Sequence, residues 1–94
     1  MPGIDRVRRV SELVRRQVSH FMLRELADEG LGIVSVTAVD MSRDLRQATV
    51  YVSSLARGPD IENLLLVLEE NVPAVRRHLA RALQLRRVPH LAFR

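Results

Sequence analysis

The residues of this chain best suited to chemistry are arginines near its C-terminal end. Residues 71–94 contain six arginines and no carboxylate. Like charges at this density repel one another unless an anion neutralises them, and nucleic-acid phosphate is the anion that such surfaces commonly bind. The sequence therefore predicts a phosphate-binding surface made by a helix and the residues that follow it: Arg76, Arg77, Arg81, Arg86 and Arg87.

The elements that must position these arginines can be read from the apolar spacing. Four apolar residues recur at three- and four-residue steps, which is typical of a helix face packed on a core: Val75, Leu79, Ala82 and Leu83. On such a helix Arg76, Arg77 and Arg81 fall on the side and back, facing solvent. The apolar face is thus expected to fix the helix, and the charged faces to meet the ligand.

Proline divides the region before this helix. Inside one continuous helix Pro73 would lose a hydrogen bond and clash with the preceding turn, at a cost of ~3 kcal/mol. We therefore expect a break at Asn71-Val72-Pro73, with Pro73 in the first turn of a third helix that ends near Leu85.

The first half of the chain predicts one helix and two strands. Apolar residues at helical spacing indicate a first helix from about Asp5, as its cap, to Asp28. Residues 33–41 and 47–55 are β-branched or alternating segments, typical of an antiparallel hairpin. Two weaker sets of candidate RNA contacts lie at the turn of this hairpin and at the N-terminus: Arg43 and Arg46, and Arg6, Arg8 and Arg9.

The second half completes an α+β domain. A second helix is expected from an Asp60 cap to about Asn71. Residues 88–93 indicate a last strand. Because Pro89 lacks an N–H, we expect it at the start of the strand or at a sheet edge. The predicted order is α-β-β-α-α-β in a single domain over residues 1–94, which is near the small end of what folds on one core.

Charge and composition narrow the function. Residues 1–30 carry a net charge of +1, residues 31–70 carry −3 and residues 71–94 carry +6, which indicates a directed basic surface. The chain has no cysteine, so disulfides, thiolate catalysis and cysteine-based zinc sites are excluded. Its three histidines show no metal-ligand spacing. Asp44 flanks the hairpin turn, where aspartate commonly bonds its own backbone. We expect no enzyme, no cofactor and no metal.

Two motifs resemble the signatures of the bacterial ribosome-binding factor A family. The first lies on the hairpin and the second on the third helix and last strand. The first consists of residues 41–45 (MSRDL), Ala48 and residues 50–52 (VYV). The second consists of Val75-Arg76, Leu79, Arg81-Ala82-Leu83, Leu85-Arg86, Val88-Pro89, Leu91 and Phe93. First-helix markers of the family also match, at Arg6-Val7 and Leu23-Arg24-Glu25-Leu26.

This resemblance implies more than the pattern itself. It implies a type II K-homology (KH) fold with a three-stranded sheet, and a cytoplasmic, monomeric, non-catalytic assembly factor. Such a factor binds the small (30S) ribosomal subunit, assists late maturation of its 16S ribosomal RNA and growth in the cold, and is released with the help of a GTPase. The family's interhelical kink is of Ala-x-Gly type, whereas the matching positions here are Asn71, Val72 and Pro73. The resemblance makes this kink a further candidate for RNA contact.

Other classes remain open from sequence alone. A small basic RNA- or DNA-binding module without a ribosome role has the same charge, although two strands between helices disfavour a helix-turn-helix protein. Another open class is a module that dimerises through the leucine-rich face of the second helix (Leu64, Leu65, Leu66 and Leu68). A membrane-surface helix is disfavoured because the third helix needs its apolar face for the core, and the longest apolar run, 64–68, is too short to cross a bilayer.

Overall fold

Three helices and three strands make up the chain in the order α-β-β-α-α-β, which confirms the α+β class and the predicted order. The computed structural model describes residues 2–26, 34–54 and 59–94. The elements are α1 (Pro2–Glu25), β1 (Val34–Met41), β2 (Gln47–Ser54), α2 (Pro59–Glu70), α3 (Val72–Leu83) and β3 (His90–Phe93).

The strands form a mixed sheet in the order β1-β2-β3. β1 and β2 are antiparallel, as expected of a hairpin, and β2 and β3 are parallel. β3 is therefore an edge strand, which suits the proline immediately before it because an edge position needs fewer ladder donors. The parallel ladder continues to Arg94, whose N–H donates to the Val50 carbonyl at 2.9 Å.

A β-bulge at Thr37 keeps both halves of β1 turned towards the core. Val36 pairs with Val52 and Ala38 with Tyr51, so Thr37 is the extra residue. One extra residue resets the two-residue alternation of side chains. As a result Val36 is buried before the bulge and Met41 is buried after it.

The helices cover one face of the sheet, and the other face is largely exposed. One cluster of buried apolar residues joins α1, the three strands, α2 and α3. α1 and α3 are also joined by a polar contact, because His78 Nε2 lies 2.9 Å from Gln17 Oε1. The His78 ring packs at a tilt on Phe21, with 5.8 Å between ring centroids. This packing fixes α3, the helix that carries the candidate arginines.

Several predicted boundaries and faces need correction. α1 and α2 begin at Pro2 and Pro59, so Asp5 and Asp60 lie in first turns rather than at caps. Proline suits the first turn because its missing N–H has no helical partner there. The expected end of the first helix at Asp28 lies outside the described residues. Ala82, predicted on the apolar face of α3, is exposed.

Candidate functional site

The break between α2 and α3 is confirmed, and Asn71 is its centre. α2 ends at Glu70 and α3 begins at Val72, with Pro73 in the first turn. The Asn71 side chain does not cap α3. Instead, its Nδ2 donates to the Val67 carbonyl at 2.8 Å, which closes the end of α2. The Asn71 carbonyl accepts the Val75 N–H at 2.9 Å, so Asn71 is bonded to both helices. Pro73 is exposed.

The end of α3 turns the chain back towards the sheet. Gln84 adopts a left-handed conformation with φ 51° and ψ 41°, an αL ending of the helix. The residues between α3 and β3, 84–89, are called the α3–β3 loop below. Arg86 and Arg87 lie in this loop and are exposed.

Arg76 fastens this loop to α3. Its Nε donates to the Pro89 carbonyl at 3.1 Å and its Nη2 donates to the Val88 carbonyl at 3.0 Å. The side chain is therefore partly buried, and the prediction that it simply faces solvent is wrong. The loop returns along the side of α3 where Arg76 lies, and two carbonyls there need donors. The position of the guanidinium is therefore set by the protein.

The hairpin turn is built by Ser42 and Asp44, as predicted for Asp44. The Ser42 hydroxyl donates to Asp44 Oδ1 at 2.7 Å, and the Arg46 N–H donates to the same oxygen at 3.0 Å. These bonds hold the pKa of Asp44 below its usual value of 3.8, and the bond from Ser42 contributes most. Arg46 in turn accepts a backbone bond from the His90 N–H at 2.8 Å. This bond places the hairpin beside the start of β3.

Two adjoining clefts lie where the start of α1, the hairpin and the α3–β3 loop meet. The first, of about 220 Å³, is lined by Arg6, Arg46, Arg86 and Arg87 among others. The second, of about 350 Å³, is lined by Arg46, Arg76, Arg87, Val88 and His90. Arg46 and Arg87 line both, so the two are treated as one site, the arginine clefts. Asp44 is the one carboxylate among the described lining residues.

The candidate arginines therefore divide into two groups. Arg46, Arg76, Arg86 and Arg87 meet at the arginine clefts. Arg77 and Arg81 lie one turn apart on the exposed side of α3, and line neither cleft. Arg43 is exposed at the hairpin turn and also lines neither cleft, and the same holds for the break at Asn71-Val72-Pro73.

Among the described residues, the acidic middle of the chain pairs with one of these arginines, Arg46, through Asp44, and with none of the C-terminal ones. Ion pairs between described residues lie within α1 or within the hairpin turn. Within α1, Glu12 pairs with Arg15 and, at 3.8 Å, with Arg16. Its pKa is lowered, chiefly by the bond from Arg15. Arg8 pairs with Asp5 at 3.7 Å. No described carboxylate is paired with the C-terminal arginines: Arg76, Arg77, Arg81, Arg86, Arg87 and Arg94.

Sequence reasoning gave Arg6 little weight and did not assign His90 to the site. Arg6 reaches the clefts because α1 begins beside the hairpin, and His90 because β3 pairs in parallel with β2. Outward alternation along β3 marks His90 as exposed. The sequence pattern does not show which residues lie beside His90 in the fold.

Fold and charge together define a class: a small α+β protein with KH-like element order and a surface of C-terminal arginines that no described carboxylate pairs. The sequence profile of the Ribosome-binding factor A family matches residues 6–94. A Ribosome-binding factor A from Rippkaea orientalis is 41% identical over 96 residues, covering 100% of this chain and 75% of the relative. The chain belongs to the Ribosome-binding factor A family.

Solved structures agree with this assignment. The crystal structure of ribosome-binding factor A from Thermus thermophilus superimposes with a TM-score of 0.80 at 26% identity, covering 94% of this chain and 93% of the other. A Thermus thermophilus RbfA homology model, fitted into the cryo-EM map of a 30S–RbfA complex, gives a TM-score of 0.74 at 27% identity. That alignment covers 88% of this chain and 87% of the other.

Proposed function

We propose that this protein binds the small ribosomal subunit through the phosphates of its RNA and acts there as an assembly factor. The observation that carries the proposal is the set of C-terminal arginines left unpaired by every described carboxylate, in a chain of this family. A relative fitted into a map of a 30S complex supports the choice of partner.

Phosphate, rather than a base edge, is the group that the surface suits. Each guanidinium group can bind two phosphate oxygens at once. The chain has one tyrosine, two phenylalanines and no tryptophan. Both phenylalanines, Phe21 and Phe93, are buried in the core. Tyr51 alone of these three aromatic side chains is exposed, so base stacking cannot dominate. Recognition therefore depends on backbone charge and RNA shape, so that selectivity comes from the folded subunit rather than from a short base sequence.

The finer parts of this proposal are those that the resemblance to the family suggests. The protein acts in the cytoplasm as a non-catalytic monomer, binds before maturation of 16S ribosomal RNA is complete, aids growth in the cold and leaves with the help of a GTPase. No helix among the described residues is long and apolar enough to span a membrane.

Cosedimentation tests the proposal. The protein is mixed with mature small subunits, precursor small subunits and large subunits at one salt concentration, and the bound fraction is measured. We expect binding to small subunits, more strongly to precursors, and little to large ones. Equal binding to both kinds of subunit, or displacement by free duplex DNA, would favour a general basic module without a ribosome role.

A further inference from the structure

The arginine clefts combine cations with aliphatic walls. The first cleft is lined by three partly buried apolar side chains besides its arginines, and partly buried Val88 lines the second. The three are Val10, Leu45 and Leu85. No Phe, Tyr or Trp is among the described lining residues, and His90 is the one aromatic ring there. The site therefore offers a single ring rather than the set of aromatic platforms that usually stacks RNA bases. Walls of this kind suit the carbon face of a sugar, and the guanidinium groups suit the phosphates that flank it.

The size and arrangement of the site favour a strand over a single ion or a duplex. The two clefts measure about 220 and 350 Å³ and share Arg46 and Arg87. One phosphate ion would leave most of this space empty, while an RNA duplex is far larger than either cleft. A chain with an anion at every repeat can place one phosphate in each cleft and run past the two shared arginines.

Internal bonds hold two charged side chains of the clefts, Arg76 and Asp44, in place before any ligand arrives. Arg76 is held by the Val88 and Pro89 carbonyls. Asp44, the carboxylate at the site, accepts bonds from the Ser42 hydroxyl and the Arg46 N–H. The Asp44 side chain is therefore hydrogen-bonded within the turn. Its one ion pair with a described residue, Arg46, is long, at 3.9 Å. Preorganisation of this kind lowers the entropy lost on binding.

From this geometry we infer that the arginine clefts hold the sugar–phosphate backbone of a single RNA strand. Guanidinium groups bind consecutive phosphates, the aliphatic walls contact the riboses, and the bases point away and are not read. This inference rests on the proposed function and makes it more specific. It adds the first turns of α1, through Arg6, to the RNA-binding surface, and it separates this strand site from the exposed pair Arg77 and Arg81.

A matched pair of double variants tests the site. Arg46→Gln with Arg87→Gln removes the two arginines that both clefts share. Arg16→Gln with Arg24→Gln removes the same charge from exposed positions of α1 that line neither cleft. Binding of a fluorescent single-stranded oligouridylate is followed by anisotropy across a salt series. The cleft variant should bind at least about tenfold more weakly, the effect of one lost charge-assisted bond or more.

The salt slope and the chemistry of the strand sharpen the test. For the cleft variant the slope of log affinity against log salt should become shallower by about 1.4, since each single-strand phosphate contributes about 0.7. The α1 control should keep the wild-type slope. An abasic strand of equal length should bind the wild type almost as well as the oligouridylate, and a blunt RNA duplex more weakly. Arg6→Gln, which alters a different element, should weaken strand binding in the same direction.

Three results would overturn the inference: equal losses in the cleft and control variants, failure of the abasic strand to bind, or tighter binding of the duplex. Wild-type binding to small subunits is measured in parallel. If the wild type fails to bind subunits, the proposed function fails. If it binds them and the cleft variant still binds the strand as the wild type does, the inference alone fails.

Discussion

α2 and α3 are consecutive helices of twelve residues each, separated by Asn71, and they carry opposite charge. α2 has four carboxylates and no cation, while α3 has three arginines and no anion. Each buries two apolar side chains in the shared core: Leu64 and Leu68 in α2, and Val75 and Leu79 in α3. Yet no ion pair between described residues joins the two helices.

The comparison shows that apolar burial, and not charge pairing, holds these helices on the sheet. The carboxylates of α2 limit the net charge to +4 without covering the arginines of α3. An acidic helix beside a basic one also orients the molecule, because a polyanion is repelled from one and attracted to the other. The charge of α3 therefore remains available to a partner.

Core truncation should have the largest effect, and it tests whether burial is the main stabilising term. Leu79 on α3 is 0% exposed and Leu66 on α2 is 62% exposed. Leu79→Ala should lower the free energy of unfolding by about 2–5 kcal/mol. Leu66→Ala, a surface change, should alter it by no more than about 0.5 kcal/mol. Urea denaturation measures both, and similar losses in the two variants would show that α2 and α3 are not held as described.

Charge reversal tests whether α3 is the helix that meets the ligand. Arg77→Glu with Arg81→Glu should weaken binding to small subunits by about 100-fold or more, because it removes two phosphate contacts and adds two repulsive charges. The melting temperature should change little, since both side chains are exposed and unpaired with any described carboxylate. The matched control on α2, Glu62→Gln with Glu69→Gln, should bind as well as the wild type or better. Loss of binding only together with unfolding would mean that Arg77 and Arg81 are structural.

Arg76 is the arginine of α3 that has a structural role. Arg76→Met keeps most of the stem but leaves the Val88 and Pro89 carbonyls without these donors. It should destabilise the fold by about 1–3 kcal/mol. Arg77→Met, one residue further on, should cost less than about 0.5 kcal/mol. Equal stability of the two variants in thermal unfolding would contradict the anchoring of the α3–β3 loop.

The smallest predicted effect concerns Asp44, a carboxylate that accepts hydrogen bonds within the hairpin turn. The pKa of Asp44 is lowered in the folded state, so its contribution to stability is present above its usual value of 3.8 and is lost as the pH falls through the lower folded value. The stability advantage of the wild type over Asp44→Asn should therefore shrink as the pH is lowered below about 4. Ser42→Ala removes the largest cause of the shift and should reduce this pH dependence. A difference independent of pH would exclude the hydrogen-bonded carboxylate.

Much of the fold was predictable because its signals are local. Pro73 marked the break between α2 and α3, β-branched alternation marked the hairpin, and the run of arginines marked the basic end. Each of these strong sequence signals lies within a single element or turn of the fold. The bulge at Thr37 was not predicted, because its cause lies in how β1 pairs with β2.

The site was less predictable because it is assembled from elements distant in sequence. Arg76 was expected in solvent, since its helix position alone does not show that the α3–β3 loop returns beside it. That return depends on the left-handed Gln84 and on the parallel pairing of β3 with β2. The same tertiary contacts bring Arg6, Arg46 and His90 together. Charge patterning predicted a phosphate ligand, and only the fold located the clefts.

The most direct test of a phosphate-binding surface is the affinity of the wild-type protein for small subunits between 50 and 200 mM salt. Release of counterions from several neutralised phosphates predicts a straight line of log affinity against log salt, with a slope of about −3 to −5. Such a slope weakens binding by roughly two to three orders of magnitude over this range. A slope near zero would mean that the arginines do not meet RNA phosphates, and would contradict the proposed function.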